Sequence, residues 1–302
     1  MELLLRRNLL LIEKFESRSC KYRNAVDSFL KEWYARFKNE PQGKLFDAME
    51  YSLLAGGKRL RPIFAMEFCR LCCGDASKAV PFAAAVEMIH TYSLIHDDLP
   101  CMDDDDYRRG RLTNHKVFGE AMAVLAGDAL LTDAFAVATT AQLPGNATAE
   151  AIAILAECAG SLGMVGGQVL DIMSEERLLT EEEVLNIQSR KTGALIRAAC
   201  CAGAVAGSAS DVQFEAAGIF AANLGLAFQI RDDMLDVIGT TEELGKAVGA
   251  DEAKNTFVRL YGLERCEELV QMYTQRAIDA LSVFADADYL IALANKLTAR
   301  RN

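Results

Sequence analysis

Proline is scarce: the 302 residues contain only Pro41, Pro62, Pro81, Pro100 and Pro144. Nothing after Pro144 therefore forbids long, unbroken helices. Basic residues are also outnumbered, 32 against 43 acidic, for a formal net charge of −11. That balance argues against a nucleic-acid partner, whose phosphates demand a basic face. Apolar runs of the ~20 residues that cross a bilayer are missing, because Asp128, Arg197 and Arg231 interrupt the best candidates. The opening MELLLRRNLLLIEKFE has no small-residue cleavage site and reads as an amphipathic helix start or a loose extension. Cysteine is plentiful at nine, but the odd count and irregular spacing suggest reduced, mostly buried thiols in a cytoplasmic protein. Cys69 and Cys72 form a CxxC pair with no matching ligands for zinc.

What is present is helical periodicity. Apolar residues recur at helix spacing, as at Leu45, Met49, Leu53 and Leu54, before the stop signal Gly56-Gly57. Pro62 and Pro81 suit helix starts, and Thr180 with Glu183 reads as a capping box. Pro144 to Thr148 reads as a loop. With no linker or repeat, the expectation is an all-α protein. Residues 21–302 would form a single large helical bundle, and 1–20 an N-terminal extension or frayed helix.

The segment from His96 to Asp106 carries six aspartates in ten positions, directly after an apolar helix. Carboxylates packed this closely repel one another, and a divalent cation is the usual remedy. A second group, Asp232, Asp233 and Asp236, lies in the apolar run Ile219 to Ile238, with Gln229 one turn before Asp233. Two such motifs on apolar helices suggest carboxylates on opposing walls of a deep central cavity. Oxygen-only ligands favour a hard ion such as magnesium. Cations accompany the acids. Gly56-Gly57-Lys58-Arg59-Leu60-Arg61 places three cations beside glycines that let backbone approach a phosphate. Arg108 and Arg109 follow the first aspartates, His90 lies two turns before Asp97, and Lys191, Thr192 and Lys246 accompany the second group. Magnesium arriving with an anionic substrate accounts for both signs of charge.

The set GGKRLRP, HDDLPCMDDDDYRRG, GGQVLDI, KTGALIRAA and FQIRDDMLDVIG resembles the trans-isoprenyl diphosphate synthases, most closely the bacterial farnesyl-forming members. The resemblance implies a homodimer that joins isopentenyl diphosphate to allylic diphosphates with three magnesium ions. It implies that Asp97, Asp98 and Asp103 hold two ions, and that Asp232, with Asp233 and Asp236, holds the third. Arg108, Lys191 and Lys246 would grip the allylic diphosphate. Gly57, Lys58, Arg61, His90 and Arg109 would hold isopentenyl diphosphate. Lys191 (through its carbonyl), Thr192 and Gln229 would face the allylic cation. One departure is the loop after the second motif, where Lys254 comes about two residues early for the family's pattern.

In that family the residues before the first aspartate motif floor the elongation pocket. Tyr92 and Ser93 occupy those positions, Tyr92 roughly 7–8 Å along the helix from Asp97. A bulky aromatic there stops growth early, and with the Pro100-Cys101 insertion it points to a fifteen-carbon product. Alternatives are a geranyl or geranylgeranyl synthase and a non-catalytic partner subunit, which tends to lose one aspartate motif. A terpene cyclase would not need Lys58, Arg61 and His90.

Overall fold

The computed structural model describes residues 2–174, 177–244 and 255–300, with side chains from residue 13 onward except 239–244. Its elements are α1 (Glu2–Ala35), α2 (Gly43–Leu53), α3 (Leu60–Cys73), α4 (Val80–Asp97), β1 (Tyr107–Arg108), β2 (Arg111–Leu112), α5 (Asn114–Phe118), α6 (Glu120–Ala138) and α7 (Gly145–Ala159). They continue as α8 (Met164–Ile172), α9 (Glu181–Gln188), a π-turn (Ser189–Gly193), α10 (Ala194–Ala206), α11 (Asp211–Leu244), α12 (Phe257–Ala280) and α13 (Asp288–Thr298). The chain is all-α as expected, apart from the small antiparallel ribbon. There Arg109 (φ 54°) and Gly110 (φ 73°) make the left-handed two-residue turn that matches strand twist. Two compact units are distinguished: Met1–Ile152 with Val205–Ser208, and Ala153–Ala204 with Ala209–Asn302.

In the first unit α4 is central. Phe82 to Ile89 are buried without a break, as suits a helix apolar on every side, and α1, α2, α3 and α6 pack around it. Pro81 sits in its first turn, where a missing N–H costs nothing. Arg59, one of the three cations at the glycine junction, is only 3% exposed. It pairs with Glu87 at 2.7 Å and Asp27 at 3.0 Å and donates to the Leu53 carbonyl at 2.6 Å. It therefore ties the α2–α3 turn to α1 and α4. Removing one member of a buried pair strands the other, so Arg59→Met should lose about 3–5 kcal/mol of stability. Urea unfolding measures this, and adding Glu87→Gln should recover part of the loss.

In the second unit α11 packs against α12, α13 and the π-turn, and α8 lies against the π-turn and α9. Leu179, Val184, Ile187, Ile230, Met234 and Phe257 form its core cluster. The capping box of Thr180 and Glu183 opens α9 as expected.

Two expectations need correction. Of the loop expected from Pro144 to Thr148 only Pro144 lies outside a helix, because the alanine-rich run is helical from Gly145. By length and composition, α6 (Glu120–Ala138) and the stretch Gly145–Ile172, which a turn divides into α7 and α8, are long and apolar enough to cross a membrane. Isolated carboxylates such as Asp128 do not lower their mean hydropathy enough. In α6 the small residues Ala123, Ala126, Gly127 and Ala134 are buried, and this helix packs on α4.

Candidate active site

The end of α4 delivers Asp97 and Asp98, and the chain then folds back on itself. The Asp103 amide donates to the Asp97 carbonyl at 2.8 Å, and the amides of Met102 and Asp104 donate to Leu99 O at 2.9 and 3.1 Å. The segment holding Pro100 and Cys101 is thus a loop that returns Asp103 to Asp97. Asp97 is half-buried and Asp103 exposed, whereas Asp98 is only 3% exposed. Burial pushes the Asp98 carboxyl up, and the Arg108 guanidinium opposes this by donating from Nε to Oδ1 at 2.6 Å. Thr113 closes the loop, its hydroxyl donating to Asp105 O at 2.8 Å and its amide to Asp106 O at 3.0 Å.

The same unit holds the cations. Gly57 has φ 125°, favourable only to glycine, and a Cβ there would lie 2.9 Å from Nη1 of Arg109. Arg109 Nη1 donates to the neighbouring Gly56 carbonyl. Lys58 is exposed, and Arg61 is half-buried with a buried Nε that has no hydrogen-bond partner. His90 is held well below the ordinary imidazole range by burial and then by Arg61, Arg109, Arg108 and Arg59. With Arg59 already paired, Arg61, whose buried Nε has no hydrogen-bond partner, and the neighbouring Arg108 and Arg109 are the cations that an anionic ligand could satisfy.

In the second unit Lys191 and Thr192 lie on the π-turn. A Cβ on Gly167 would approach Lys191 Cα to 2.8 Å, and one on Gly225 would approach Gly193 Cα to 3.3 Å. Two glycines thus let α8 and α11 close on the turn. Lys191 Nζ donates to Asp171 Oδ2 at 2.5 Å. Thr192 Oγ1 donates to Gln229 Oε1 at 3.1 Å, and Gln229 Nε2 to Asp233 Oδ1 at 3.0 Å. The Phe257 amide donates to the other Asp233 oxygen at 2.8 Å. Asp233 is 6% exposed, so both its oxygens are engaged inside the protein. Asp236 is exposed, and Asp232 pairs with the Arg300 guanidinium, which also lies 4.3 Å from the Phe228 ring centroid. Lys246 and Lys254 lie outside the described residues.

The structure brings Asp97, Asp98, Asp103, His90, Arg61, Arg108 and Arg109 into the first unit, and Lys191, Thr192, Gln229 and the second aspartates into the other. Sequence reasoning missed Asp171 and Arg300. GGQVLDI carried a signal for Asp171, while a lone arginine near the C-terminus carried none. The donors fit magnesium: they are carboxylate oxygens, and Arg108 and Arg300 already rest on Asp98 and Asp232, where positive charge is favoured. Among the described residues no three acidic, histidine or cysteine side chains form a closed cage.

Carboxylates clustered at helix ends in each unit, and arginines grouped in the first, are the side chains that an enzyme acting on phosphorylated substrates would need. The family model for polyprenyl synthetase matches residues 42–287. The chain is 49% identical over 242 residues to a farnesyl diphosphate synthase of Micrococcus luteus, covering 80% of this chain and 83% of that one. It is 48% identical over 271 residues to a heterodimeric geranylgeranyl pyrophosphate synthase large subunit of Arabidopsis thaliana, covering 86% and 73%. The crystal structure of an FPP/GFPP synthase from Zymomonas mobilis superposes with a TM-score of 0.84 at 36% identity, covering 96% of this chain and 99% of that one. This chain belongs to the polyprenyl synthetase family and is a prenyltransferase of the trans-isoprenyl diphosphate synthase type.

Proposed function

We propose that the enzyme makes farnesyl diphosphate, adding isopentenyl diphosphate first to dimethylallyl and then to geranyl diphosphate. The observation that carries this reading is Tyr92. It lies five residues before Asp97, is 6% exposed, and meets His96 edge-to-face with ring centroids 5.7 Å apart. An aromatic ring packed at this depth, with Ser93 beside it, floors the growing chain.

In this reading Asp97, Asp98 and Asp103 would hold two magnesium ions, and Asp232 and Asp236 a third. Bound magnesium supplies charge neutralisation for the departing diphosphate. Asp233 positions Gln229 and the start of α12, and it is the motif member whose oxygens are least available to an ion. Arg108, Lys191 and Lys246 grip the allylic diphosphate. Gly57, Lys58, Arg61, His90 and Arg109 hold isopentenyl diphosphate so that its double bond faces the allylic carbon. When the allylic carbon–oxygen bond breaks, its electron pair leaves with diphosphate. The Thr192 and Gln229 oxygens and the Lys191 carbonyl face the cation. The isopentenyl double bond attacks, and the proton then lost passes to diphosphate, which serves as base. Exclusion of water protects the cation from hydrolysis.

The enzyme is read as a homodimer, with exposed Val124 and Leu125 on α6 as apolar surface for a second copy, and light scattering on purified protein checks this. The direct test incubates purified protein with isopentenyl and dimethylallyl diphosphates and magnesium and sizes the products. A fifteen-carbon chain is expected, turnover by the chain alone speaks against a partner-subunit role, and a mainly twenty-carbon product overturns the farnesyl assignment. Tyr92→Ala should shift the products to twenty carbons and beyond, and an unchanged profile refutes the floor role.

A further inference from the structure

His96 and Gly127 have no part in the chemistry above, yet they fit together closely. His96 lies on α4 one turn after Tyr92 and immediately before Asp97. Its Nε2 donates to the Val124 carbonyl of α6 at 3.1 Å. A Cβ on Gly127, three residues further along α6, would lie 2.5 Å from the imidazole Cδ2 and 2.8 Å from Cε1. No other residue leaves room for the ring there without a shift. The imidazole is thus pinned to α6 by a carbonyl on one side and a missing side chain on the other. The Tyr92 ring also meets it, 5.7 Å away at an interplanar angle of 75°.

We propose that His96, seated in the slot at Gly127, is a positioning residue for product length, backing the Tyr92 ring so that the growing chain cannot push it aside. The inference rests on the reading of Tyr92 as the pocket floor. A ring stops elongation only while it keeps its rotamer, and a side chain wedged between α4 and α6 holds it more firmly than one facing open space. Loss of the slot displaces the imidazole, frees the phenol, and lets longer products form.

The experiment compares twenty-carbon to fifteen-carbon product ratios for the wild type, Gly127→Ala, His96→Gln, Tyr92→Ala and the double variant Gly127→Ala/Tyr92→Ala. Ratios are read rather than rates, because a merely structural defect lowers turnover without moving the ratio. Gly127→Ala should raise the ratio several-fold, and His96→Gln should do so less, because its amide still donates to Val124. In the Tyr92→Ala background, Gly127→Ala should add nothing. An unchanged ratio in Gly127→Ala, alongside a shift in Tyr92→Ala, overturns the proposal while leaving the floor intact. An equal shift in both backgrounds also overturns it, since Gly127 then acts by another route. An unchanged ratio in Tyr92→Ala overturns the floor reading itself. Should Gly127→Ala fail to fold, His96→Gln with and without Tyr92→Ala carries the same comparison.

Discussion

Asp97→Asn and Asp103→Asn should each lower kcat by ~10³-fold or more, the scale expected when charge stabilisation at the leaving group is lost. The amide side chain has nearly the same size but no charge, so the change is electrostatic. The two residues are joined through the backbone, Asp103 N to Asp97 O at 2.8 Å, and neither substitution touches that bond. Circular dichroism and the unfolding midpoint should therefore stay near those of the wild type. Extra magnesium should restore part of the activity, because weakened ion affinity is met by mass action. Asp106→Asn is the control. Its exposed carboxylate pairs with Lys116 at 2.6 Å, at the far end of the same acidic run. Such a surface pair contributes about 0–1 kcal/mol, so activity should hardly change. A loss in Asp106→Asn as large as in Asp97→Asn would mean that the whole run acts only as a diffuse acidic surface.

The helical fold was legible because its determinants are local: apolar spacing, the near absence of proline, and the caps at Thr180 and Pro81. The candidate clusters are visible in the sequence, but the partners of each residue within them are not. Arg59 and Arg61 look equivalent in GGKRLRP, yet Arg59 is consumed by Asp27 and Glu87, 32 and 28 positions away in the chain. No local pattern reports that pairing. Asp232 and Asp233 look equivalent too, but the helix turns Asp233 toward the Phe257 amide and Gln229. The π-turn at Lys191 was invisible for a related reason. It depends on close approach of Gly167 and Gly225 from α8 and α11, and isolated glycines in helices advertise no partner. Pro100-Cys101 reads in the sequence as an insertion in the aspartate motif. That it brings Asp103 back to Asp97 is a property of the folded loop.

Arg61→Ala should raise the KM for isopentenyl diphosphate by ~10- to 100-fold. A hydrogen bond to a charged group contributes about 1.5–3 kcal/mol, and each 1.4 kcal/mol is about tenfold in affinity. The KM for the allylic substrate should stay nearly constant, because Arg108 and Lys191 are untouched. Arg61 is the residue of choice for this separation. Its Nε is buried without a partner, so an arriving phosphate oxygen satisfies a donor that the protein leaves open. Arg61→Lys should recover only part of the affinity, since an ammonium keeps the charge but loses the planar fork. A second readout is independent of turnover. After burial, Arg61 is the largest influence holding the His90 ring below its ordinary pKa. In Arg61→Ala the His90 pKa, followed by proton NMR, should therefore rise. Inorganic diphosphate added to the wild type should raise it as well, because the anion replaces repulsion between cations with attraction. If diphosphate leaves the His90 resonances unmoved, the arginines around it hold no anion. The site for the second substrate must then lie elsewhere.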